Sequence, residues 1–240
     1  GGIDTVVSYA GAYTLTANVE NGQIAATVAA NITGNSLNNV LVAGAGNNVI
    51  DGSTGLDTVS YTSATTGVTV RLALTTAQAT GGSGIDTLLN IENVTGSNFD
   101  DTLVGGSTGN VISGGGGDDM IYGRGGSDLL DGGAGNDSFV FDALLGAGNV
   151  DTIQSFNVAD DTIMLENTGI FSALVATGTL ASGAFNTGTS ASEADDRIVY
   201  DTATGALFYD ADGSGGGAAV RFATLTAVVG TLSADDFFVF

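Results

Sequence analysis

Aspartate and glycine recur at a fixed spacing in the middle of the chain. Residues 96–140 divide into consecutive units of nine residues: GSNFDDTLV, GGSTGNVIS, GGGGDDMIY, GRGGSDLLD and GGAGNDSFV. In every unit the first residue is Gly and the eighth is large and apolar. The sixth residues are Asp101, Asn110, Asp119, Asp128 and Asp137. The stretch offers carboxylate and carbonyl oxygens with almost no cationic side chain nearby, which is the chemistry of binding a hard metal ion.

The unit itself predicts how these side chains are positioned. Three residues with one inward apolar side chain make a short strand, and six residues rich in Gly and Asp make a tight turn. Two units then complete one circuit of a flattened coil, so that alternate units stack at about 4.8 Å, the spacing of strands. Asp101, Asp119 and Asp137 fall on one edge, and Asn110 and Asp128 on the other. Because stacked carboxylates repel one another, the spacing favours a cation between the turns, and irregular oxygen ligands favour Ca²⁺ over Mg²⁺ or Zn²⁺.

Composition excludes several functions. The chain has 26 acidic and 4 basic residues and a net charge of -22, which would repel nucleic acid and anionic membrane surfaces, so we expect neither as a partner. Without His or Cys, it has no Ser-His-Asp triad, zinc motif or thiolate chemistry. Nearly all aspartates lie in glycine-rich turns instead of facing each other across a cleft, so we expect no catalysis by this chain. Apolar residues make up 43% of it, which predicts a folded chain, and no apolar run is long enough to span a membrane.

The units resemble the RTX (repeats-in-toxin) secreted proteins, whose nonapeptide is G-G-x-G-x-D-x-U-x. Residues 114–122 and 132–140 match every fixed position, as does an isolated copy at residues 81–89. The unit at 123–131 departs by carrying Arg124 at the second position, and the first two units lack the fourth-position glycine. Asn110 also replaces an aspartate.

This resemblance implies an all-β fold, a parallel β-roll (β-solenoid), with several Ca²⁺ ions held between stacked turns of residues 96–141. Carried over position by position, the implied ligands are Asp101, Gly114, Gly115, Gly117, Asp119, Gly123, Gly126, Asp128, Gly132, Gly133, Gly135 and Asp137. The aspartates would bind through their side chains and the glycines through their carbonyls, with a weaker site at the Asn110 edge. A solvated linker would not keep an apolar residue at every ninth position, and a metal-free solenoid would leave the aspartates unopposed.

Residues 1–95 repeat the pattern with different chemistry. The units at 34–60 carry Asn39, Asn48 and Asp57 at the sixth position. Asparagine amides can hydrogen-bond along a ladder without a charge to neutralise, so we expect an irregular, metal-poor roll with insertions, weak calcium binding being the alternative. Glu20 and Glu92 are possible ligands, but turn capping is the favoured interpretation. The sequence leaves calcium binding by Asp57 and Asp86 open.

Residues 142–240 lose the nine-residue register and show alternating runs instead. They predict an antiparallel β cap over the open end of the roll, with a hairpin turn at residues 201–205. Asp151 and Asp161 are weaker candidates for closing the last calcium site. The stretch YDADGSG resembles an EF-hand loop but carries Arg221 where a glutamate ligand is required, so a β-turn is favoured over a calcium site at Asp210 and Asp212.

The cap resembles the C-terminal region of serralysin-type proteases. Residues 235–240, acidic and then apolar, resemble a type I secretion signal, which implies an ABC-transporter complex as the export partner and an extracellular, bacterial location. The chain starts without Met and without a cleavable signal, as if cut from a longer protein. We therefore expect a secreted calcium-binding module that folds on meeting Ca²⁺ outside the cell. Two alternatives stay open: a surface-layer or adhesin module that self-assembles, and the non-catalytic tail of a secreted protease, lipase or epimerase.

Overall fold

The computed structural model describes residues 2–9, 11–25 and 27–240, whose regular structure is β-strand apart from two short 3-10 helices, Ser182–Ala184 and Ala234–Asp236. The strands before residue 96 are β1 (Thr5–Ser8), β2 (Ala12–Thr14), β3 (Asn21–Ile24), β4 (Ala30–Thr33), β5 (Val40–Val42), β6 (Asn48–Asp51), β7 (Thr58–Ser60), β8 (Thr69–Arg71), β9 (Gln78–Gly81), β10 (Gly84–Leu89) and β11 (Asn93–Thr95). Those of the tandem units are β12 (Thr102–Val104), β13 (Val111–Gly116), β14 (Met120–Tyr122), β15 (Leu129–Ala134) and β16 (Ser138–Phe141). The remaining strands are β17 (Asp151–Gln154), β18 (Thr162–Leu165), β19 (Gly178–Thr179), β20 (Phe185–Thr187), β21 (Ile198–Asp201), β22 (Ala206–Tyr209), β23 (Val220–Thr226) and β24 (Phe237–Val239). The predicted all-β class is confirmed.

Alternate units of the tandem block stack as parallel strands in register. Strand β14 pairs with β12 and β16, which places Leu103, Ile121 and Phe139 in one row. On the opposite face β13 pairs with β15, so that Ile112 lies beside Leu130. The predicted parallel β-roll, with two units per circuit, is confirmed.

The parallel stacking continues beyond Phe141, where the sequence predicted an antiparallel cap. Strand β17 pairs in parallel with β15 and β18 with β16, and β23 and β24 extend the same two faces. The reason is local: Ile153 and Ile163 each follow an Asp-Thr pair, as Leu103 does, and fill the same inward position. Antiparallel pairing begins later, with β21, β22 and β23 and with β19 against β24. The hairpin predicted at residues 201–205 joins β21 to β22.

The strands of the described residues form three sheets. One has twelve strands in the order β1-β3-β5-β7-β11-β13-β15-β17-β23-β22-β21-β20, and another has seven in the order β19-β24-β18-β16-β14-β12-β8. The third, β2-β4-β6-β10-β9, has five strands in the N-terminal part. There the isolated motif copy at residues 81–89 makes an antiparallel hairpin between β9 and β10. Gly81 (φ 70°) and Gly84 (φ 93°) supply the left-handed backbone that reverses the chain.

The apolar side chains form one continuous core along the roll. The eighth residue of every tandem unit is at most 1% exposed, as is its equivalent in the N-terminal units: Leu41, Ile50, Val59, Leu103, Ile112, Ile121, Leu130 and Phe139. Burying each of them contributes about 1.5–3 kcal/mol. Toward the C-terminal end the core becomes aromatic, with Phe141 and Phe171 each edge-on to Phe222 at 5.1 and 5.2 Å. This core fixes the height of each turn and therefore the spacing of the sixth-position side chains.

Candidate metal sites

The sixth-position side chains form a hydrogen-bonded ladder along each edge of the roll. The Oδ1 atom of Asp119 accepts from the backbone N–H of Asp101 at 2.8 Å, and Oδ1 of Asp137 accepts from the N–H of Asp119 at 3.0 Å. On the other edge Oδ1 of Asp128 accepts from the N–H of Asn110 at 2.7 Å. Each carboxylate is thus tied to the rung before it, and the predicted grouping of the two edges is confirmed.

The second carboxylate oxygen separates the aspartates into two kinds. In Asp119, Asp128 and Asp137 the Oδ2 atom is buried and has no hydrogen-bond partner among the described residues. These side chains are 1%, 3% and 1% exposed, so solvent does not replace the missing donor. An unpaired buried acceptor costs at least about 1–3 kcal/mol, and more when it is charged. The arrangement therefore calls for a cation at this oxygen.

The difference goes with backbone conformation. In these three units the second and fourth residues have positive φ, and no N–H of the described residues donates to the Oδ2 atom. The residues are Gly115 (109°), Gly117 (102°), Arg124 (71°), Gly126 (110°), Gly133 (102°) and Gly135 (138°). We call a turn of this kind, with an unpaired sixth-position oxygen, an open turn.

The first two tandem units have the other conformation, which we call a closed turn. The N–H of Ser97 donates to Oδ2 of Asp101 at 2.6 Å, and the N–H of Gly106 donates to Oδ1 of Asn110 at 2.7 Å. Oδ1 of Asp101 accepts from the N–H of Val68 at 2.6 Å as well. Both oxygens of Asp101 are therefore engaged, and its role as a ligand stays a prediction.

The first position of each tandem unit has no room for a side chain. A Cβ atom added to Gly114 would collide with Oδ2 of Asp119 and lie 2.5 Å from the carbonyl oxygen of Gly132. A Cβ at Gly123 would lie 2.6 Å from Oδ2 of Asp128 and 2.9 Å from Oδ2 of Asp151. Carboxylate and carbonyl oxygens from two rungs thus converge on one small space, which fits the oxygen ligands of Ca²⁺.

Aspartates on both ladders have raised pKa values because they are buried without a nearby positive charge. Burial, together with the charges of Asp101 and Asp137, raises the pKa of Asp119 to about 8. Burial also raises the pKa of Asp137 to about 6. On the other edge burial raises the pKa of Asp128 to about 6 and that of Asp151 to about 7. Within the described part of the chain, the one salt bridge joins Arg124 to Asp142 at 2.9 Å and leaves the ladders without a cation.

Asp151 and Asp161, the weaker sequence candidates, take ladder positions. Oδ1 of Asp151 accepts from the N–H of Asp128 at 3.0 Å, and Oδ1 of Asp161 accepts from the N–H of Asp137 at 3.2 Å. The signal in the sequence is the Asp-Thr-Ile triplet that both share. The described residues contain no cluster of three carboxylates, so any ion would depend on backbone carbonyls for most of its ligands.

In the N-terminal part amide groups bridge the rungs instead. The Nδ2 atom of Asn48 donates to the carbonyl of Ala30 at 2.8 Å, and that of Asn39 donates to the carbonyl of Glu20 at 3.1 Å. Both oxygens of Asp86 are engaged, Oδ1 by the N–H of Asn48 at 2.8 Å and Oδ2 by Oγ1 of Thr80 at 2.9 Å. These contacts agree with the expectation of neutral ladders; the metal-poor character of this part stays a prediction.

Glu20 and Glu92 cap backbone groups. Oε2 of Glu20 accepts from the N–H of Asp4, and Oε2 of Glu92 accepts from the N–H of Asp57, both at 2.9 Å. In the cap, Oδ2 of Asp212 accepts from the N–H of Gly217 at 3.0 Å, as in a local turn. Calcium binding by Asp210 and Asp212 remains open.

The nonapeptide units are similar to a known family of repeats. The family model for the RTX calcium-binding nonapeptide repeat (four copies) matches residues 33–63, 95–130 and 104–139. No curated protein matches the sequence. Among solved structures, the extracellular lipase LipA from Serratia marcescens aligns with 92% of this chain and 41% of its own, at 14% identity and a TM-score of 0.25. The chain thus spans about 41% of the length of that lipase.

Proposed function

Since the chain carries RTX calcium-binding nonapeptide repeats, and such repeats bind Ca²⁺, we propose that it is a secreted module whose roll folds when its open turns bind calcium. The observation that carries the proposal is the set of buried, unpaired Oδ2 atoms of Asp119, Asp128 and Asp137. These atoms lie beside first-position glycines that have no room for a side chain.

The proposed ligands come from two adjacent rungs at each site. Asp119, Asp128 and Asp137 contribute Oδ2, while their Oδ1 atoms hold the neighbouring rung through its backbone N–H. The glycine carbonyls in the proposed ligand set are those of Gly114, Gly115, Gly117, Gly123, Gly126, Gly132, Gly133 and Gly135. Asp101 is retained as a ligand of the first rung, where calcium binding requires the N–H of Ser97 to release its Oδ2 atom. Asp151 is added on the other edge beside Asp128. Bound Ca²⁺ supplies the positive charge that the four arginines of the chain do not.

Folding then depends on the calcium concentration. Without the ion, the aspartates of adjacent rungs repel one another in a buried setting, which disfavours the stacked state. A ligand that binds only the folded state stabilises it by RT ln(1 + [L]/Kd) at each site. Extracellular calcium modules have dissociation constants of about 10⁻⁴–10⁻³ M, so the roll would stay unfolded in a bacterial cytoplasm and fold outside.

The proposed route out of the cell is type I secretion through an ABC-transporter complex. An unfolded, calcium-free chain can pass through a narrow channel, and residues 235–240 would be read as the signal before folding. In the folded chain this segment contains β24, with Phe237 and Val239 each 1% exposed. These two side chains of the signal would therefore be accessible only before the cap forms. No helix of the described residues is long and apolar enough to cross a membrane.

We propose no catalytic role for these residues themselves. The chain would serve as the non-catalytic, calcium-dependent part of a larger secreted protein. Incubating the folded chain with ester and peptide substrates should give no turnover above a buffer control; turnover that survives repurification would contradict this part of the proposal.

Metal content tests the binding function. The full chain is stripped with chelator, dialysed against millimolar Ca²⁺ or Mg²⁺, and analysed for bound metal. We expect several Ca²⁺ ions and no Mg²⁺ per chain, and fewer Ca²⁺ ions in a variant carrying Asp119→Asn, Asp128→Asn and Asp137→Asn. Equal retention of the two metals, or no loss of Ca²⁺ in the triple variant, would overturn the proposal.

Co-expression with a type I exporter tests the route. The chain should reach the medium only when the exporter is present. Retention in the cell despite a working exporter would contradict the proposed secretion route and leave the calcium-binding proposal standing.

A further inference from the structure

Two of the four arginines of the chain border a single groove on the outside of the roll. The groove has a volume of about 420 Å³, and none of its lining residues belongs to the calcium ligand set proposed above. We propose that this groove, between Arg71 and Arg124, binds a fatty acid through its carboxylate and its hydrocarbon chain. The inference goes beyond calcium binding and requires only that the roll is folded.

The register of the strands brings the two arginines to one groove. Arg71 on β8 pairs with Val104 on β12, and Val104 pairs with Tyr122 on β14. Because Leu103 is buried in the core, the next residue, Val104, faces outward in the same row as Arg71 and Tyr122. Arg124 follows Tyr122 by two residues. The two arginines therefore stand on the rungs to either side of Val104, and these rungs are about 10 Å apart.

The rung between the arginines carries no side chain after Val104, because it continues with two glycines. A Cβ atom added to Gly106 would meet only Oδ1 of Asn110, at 3.7 Å, so the space above this residue is open. The N–H of Gly105 donates to the carbonyl of Tyr122 at 2.8 Å, and that of Gly106 donates to Oδ1 of Asn110 at 2.7 Å. Since these N–H groups are already engaged, the floor suits a hydrocarbon chain better than a peptide or a saccharide.

The wall on the Arg71 side is held by a buried glutamine. Oε1 of Gln78 accepts from the N–H of Arg71 at 2.9 Å, and its Nε2 atom donates to the carbonyl of Arg71 at 3.1 Å. Nε2 also lies 3.5 Å from the carbonyl of Leu74, so the turn from Arg71 to Leu74 is fixed at both ends. The side chains of Ala73 and Leu74 line the groove and make this wall apolar. The groove is thus a formed feature of the roll with an apolar lining.

The charges of the two arginines differ in what already compensates them. Arg124 forms a salt bridge with Asp142 at 2.9 Å and lies over the ring of Tyr122. Arg71 has no ion pair among the residues that the structure describes. A guanidinium presents a planar fork of donors that matches a carboxylate. An anionic group beside an apolar body therefore complements the groove, with the carboxylate at Arg71 and the hydrocarbon over the glycines.

An NMR titration tests binding and locates it. The full chain, labelled with ¹⁵N and folded in saturating Ca²⁺, is titrated with octanoate at constant free Ca²⁺, and separately with octanol and with acetate. We expect saturable shifts of the amide signals of Gly105 and Gly106 with octanoate, and weaker binding of the other two. Shifts confined to the calcium turns, or equal affinity for octanoate and acetate, would overturn the proposal.

Removal of the free arginine tests the anionic end of the ligand. Arg71→Gln should weaken octanoate binding about tenfold or more and leave octanol binding unchanged, because the charge-assisted hydrogen bonds to the carboxylate are lost. Arg221→Gln is the matched control, since Arg221 is also exposed and without an ion pair in the described part of the chain, but does not line the groove. Equal octanoate affinity in Arg71→Gln and the natural chain would contradict the assignment.

Filling the groove tests the hydrocarbon end. Gly106 has no left-handed φ, so Gly106→Leu places a side chain over the floor without backbone strain and should abolish the octanoate shifts. Gly148→Leu is the control, because a Cβ atom there meets nothing within 4 Å and lies outside the groove. Both variants should bind the natural number of Ca²⁺ ions. Unchanged octanoate binding in Gly106→Leu would refute this site and leave the proposed calcium function standing.

Discussion

At the scale of single residues, the roll distinguishes Asp from Asn at one position. Asn110 and Asp128 stack on the same edge, yet the side-chain oxygen of Asn110 accepts an N–H from its own turn while Oδ2 of Asp128 has no donor in the described structure. The amide of Asn110 also donates to the carbonyl of Glu92 at 2.5 Å. The side chain of Asn110 is therefore satisfied by hydrogen bonds, whereas Asp128 in an open turn keeps one oxygen free for a cation.

Asp119→Asn should have opposite effects on binding and on apo stability. The variant loses a charged ligand, so it should bind fewer Ca²⁺ ions; without calcium it should be more stable, because no buried charge remains between Asp101 and Asp137. Calcium titration and urea unfolding in chelator measure the two effects. Asp118→Asn is the control, since Asp118 is exposed and only its Oδ1 is engaged, by Asn136. Loss of apo stability in Asp119→Asn would contradict the account.

Gly114→Ala should abolish binding at its turn. The added Cβ would occupy the space between Oδ2 of Asp119 and the carbonyl of Gly132. Gly116→Ala is the matched control, because a Cβ there meets only ordinary contacts at 3.8 and 3.9 Å. Calcium titration should show fewer sites in the first variant and the natural number in the second. Equal binding by the two variants would mean that calcium does not bind between Oδ2 of Asp119 and the carbonyl of Gly132.

Arg124→Gly should be tolerated or mildly stabilising. Arg124 has φ 71°, which costs a residue with a side chain about 1–2 kcal/mol relative to glycine. Its exposed ion pair with Asp142 and its contact with the Tyr122 ring offset part of that. Urea unfolding in saturating Ca²⁺ should give a free energy of unfolding equal to or about 1 kcal/mol above the natural value. A loss of more than about 1 kcal/mol would show that the ion pair outweighs the strain.

At the scale of elements, the nonapeptide determines strand and turn to different degrees. The strands and their alternate stacking were predictable, because the apolar residue at the eighth position of each nine-residue unit must face the core. Whether a turn is open or closed was less predictable. Asp101 has the sequence position of a ligand, but the N–H of Ser97 donates to it and closes its turn. The copy at residues 81–89 matches the motif in full, and its strand β10 stacks in parallel on β6 while also pairing with β9 in an antiparallel hairpin that the motif did not predict. The continuation of parallel rungs after Phe141 was missed, since the glycines disappear there while Asp151 and Ile153 keep their places.

The turn rule can be tested by converting a closed turn into an open one. Thr108→Gly together with Asn110→Asp gives the unit at residues 105–113 the fourth-position glycine and the carboxylate of an open turn. We expect this double variant to bind at least one additional Ca²⁺ ion in a calcium titration. Asn110→Asp alone should add none and should lower stability, because it removes the hydrogen bond that the Asn110 amide donates to the carbonyl of Glu92 and buries a charge. No gain in the double variant would contradict the rule.

At the scale of the whole molecule, the twelve-stranded sheet ties the calcium region to both ends of the chain. Strands β11, β13, β15, β17 and β23 follow one another in it, so the open turns lie between an N-terminal roll and a C-terminal aromatic core. A net charge of -22 acts against compaction throughout. Stacking of the tandem units is therefore expected to order the N-terminal roll and the C-terminal core as well as the calcium sites.

Part of the pH dependence should be independent of calcium. Burial raises the pKa of Asp86 to about 6 from its ordinary 3.8, so Asp86 favours the folded state below pH 3.8 and loses that contribution as the pH rises through about 6. In saturating Ca²⁺, urea unfolding between pH 5 and pH 7 should show a smaller decline for Asp86→Asn than for the natural chain. Identical slopes would show that Asp86 does not titrate in this range.

The measurement that most directly tests the central claim is far-UV circular dichroism of the full chain in chelator, followed by titration with Ca²⁺ and, separately, Mg²⁺. Calcium-dependent folding predicts little β signal in chelator, a cooperative gain as Ca²⁺ reaches the millimolar range, and no such gain with Mg²⁺. A spectrum already rich in β-structure in chelator, and unchanged by Ca²⁺, would show that the asparagine ladders and the aromatic core hold the fold without the open turns.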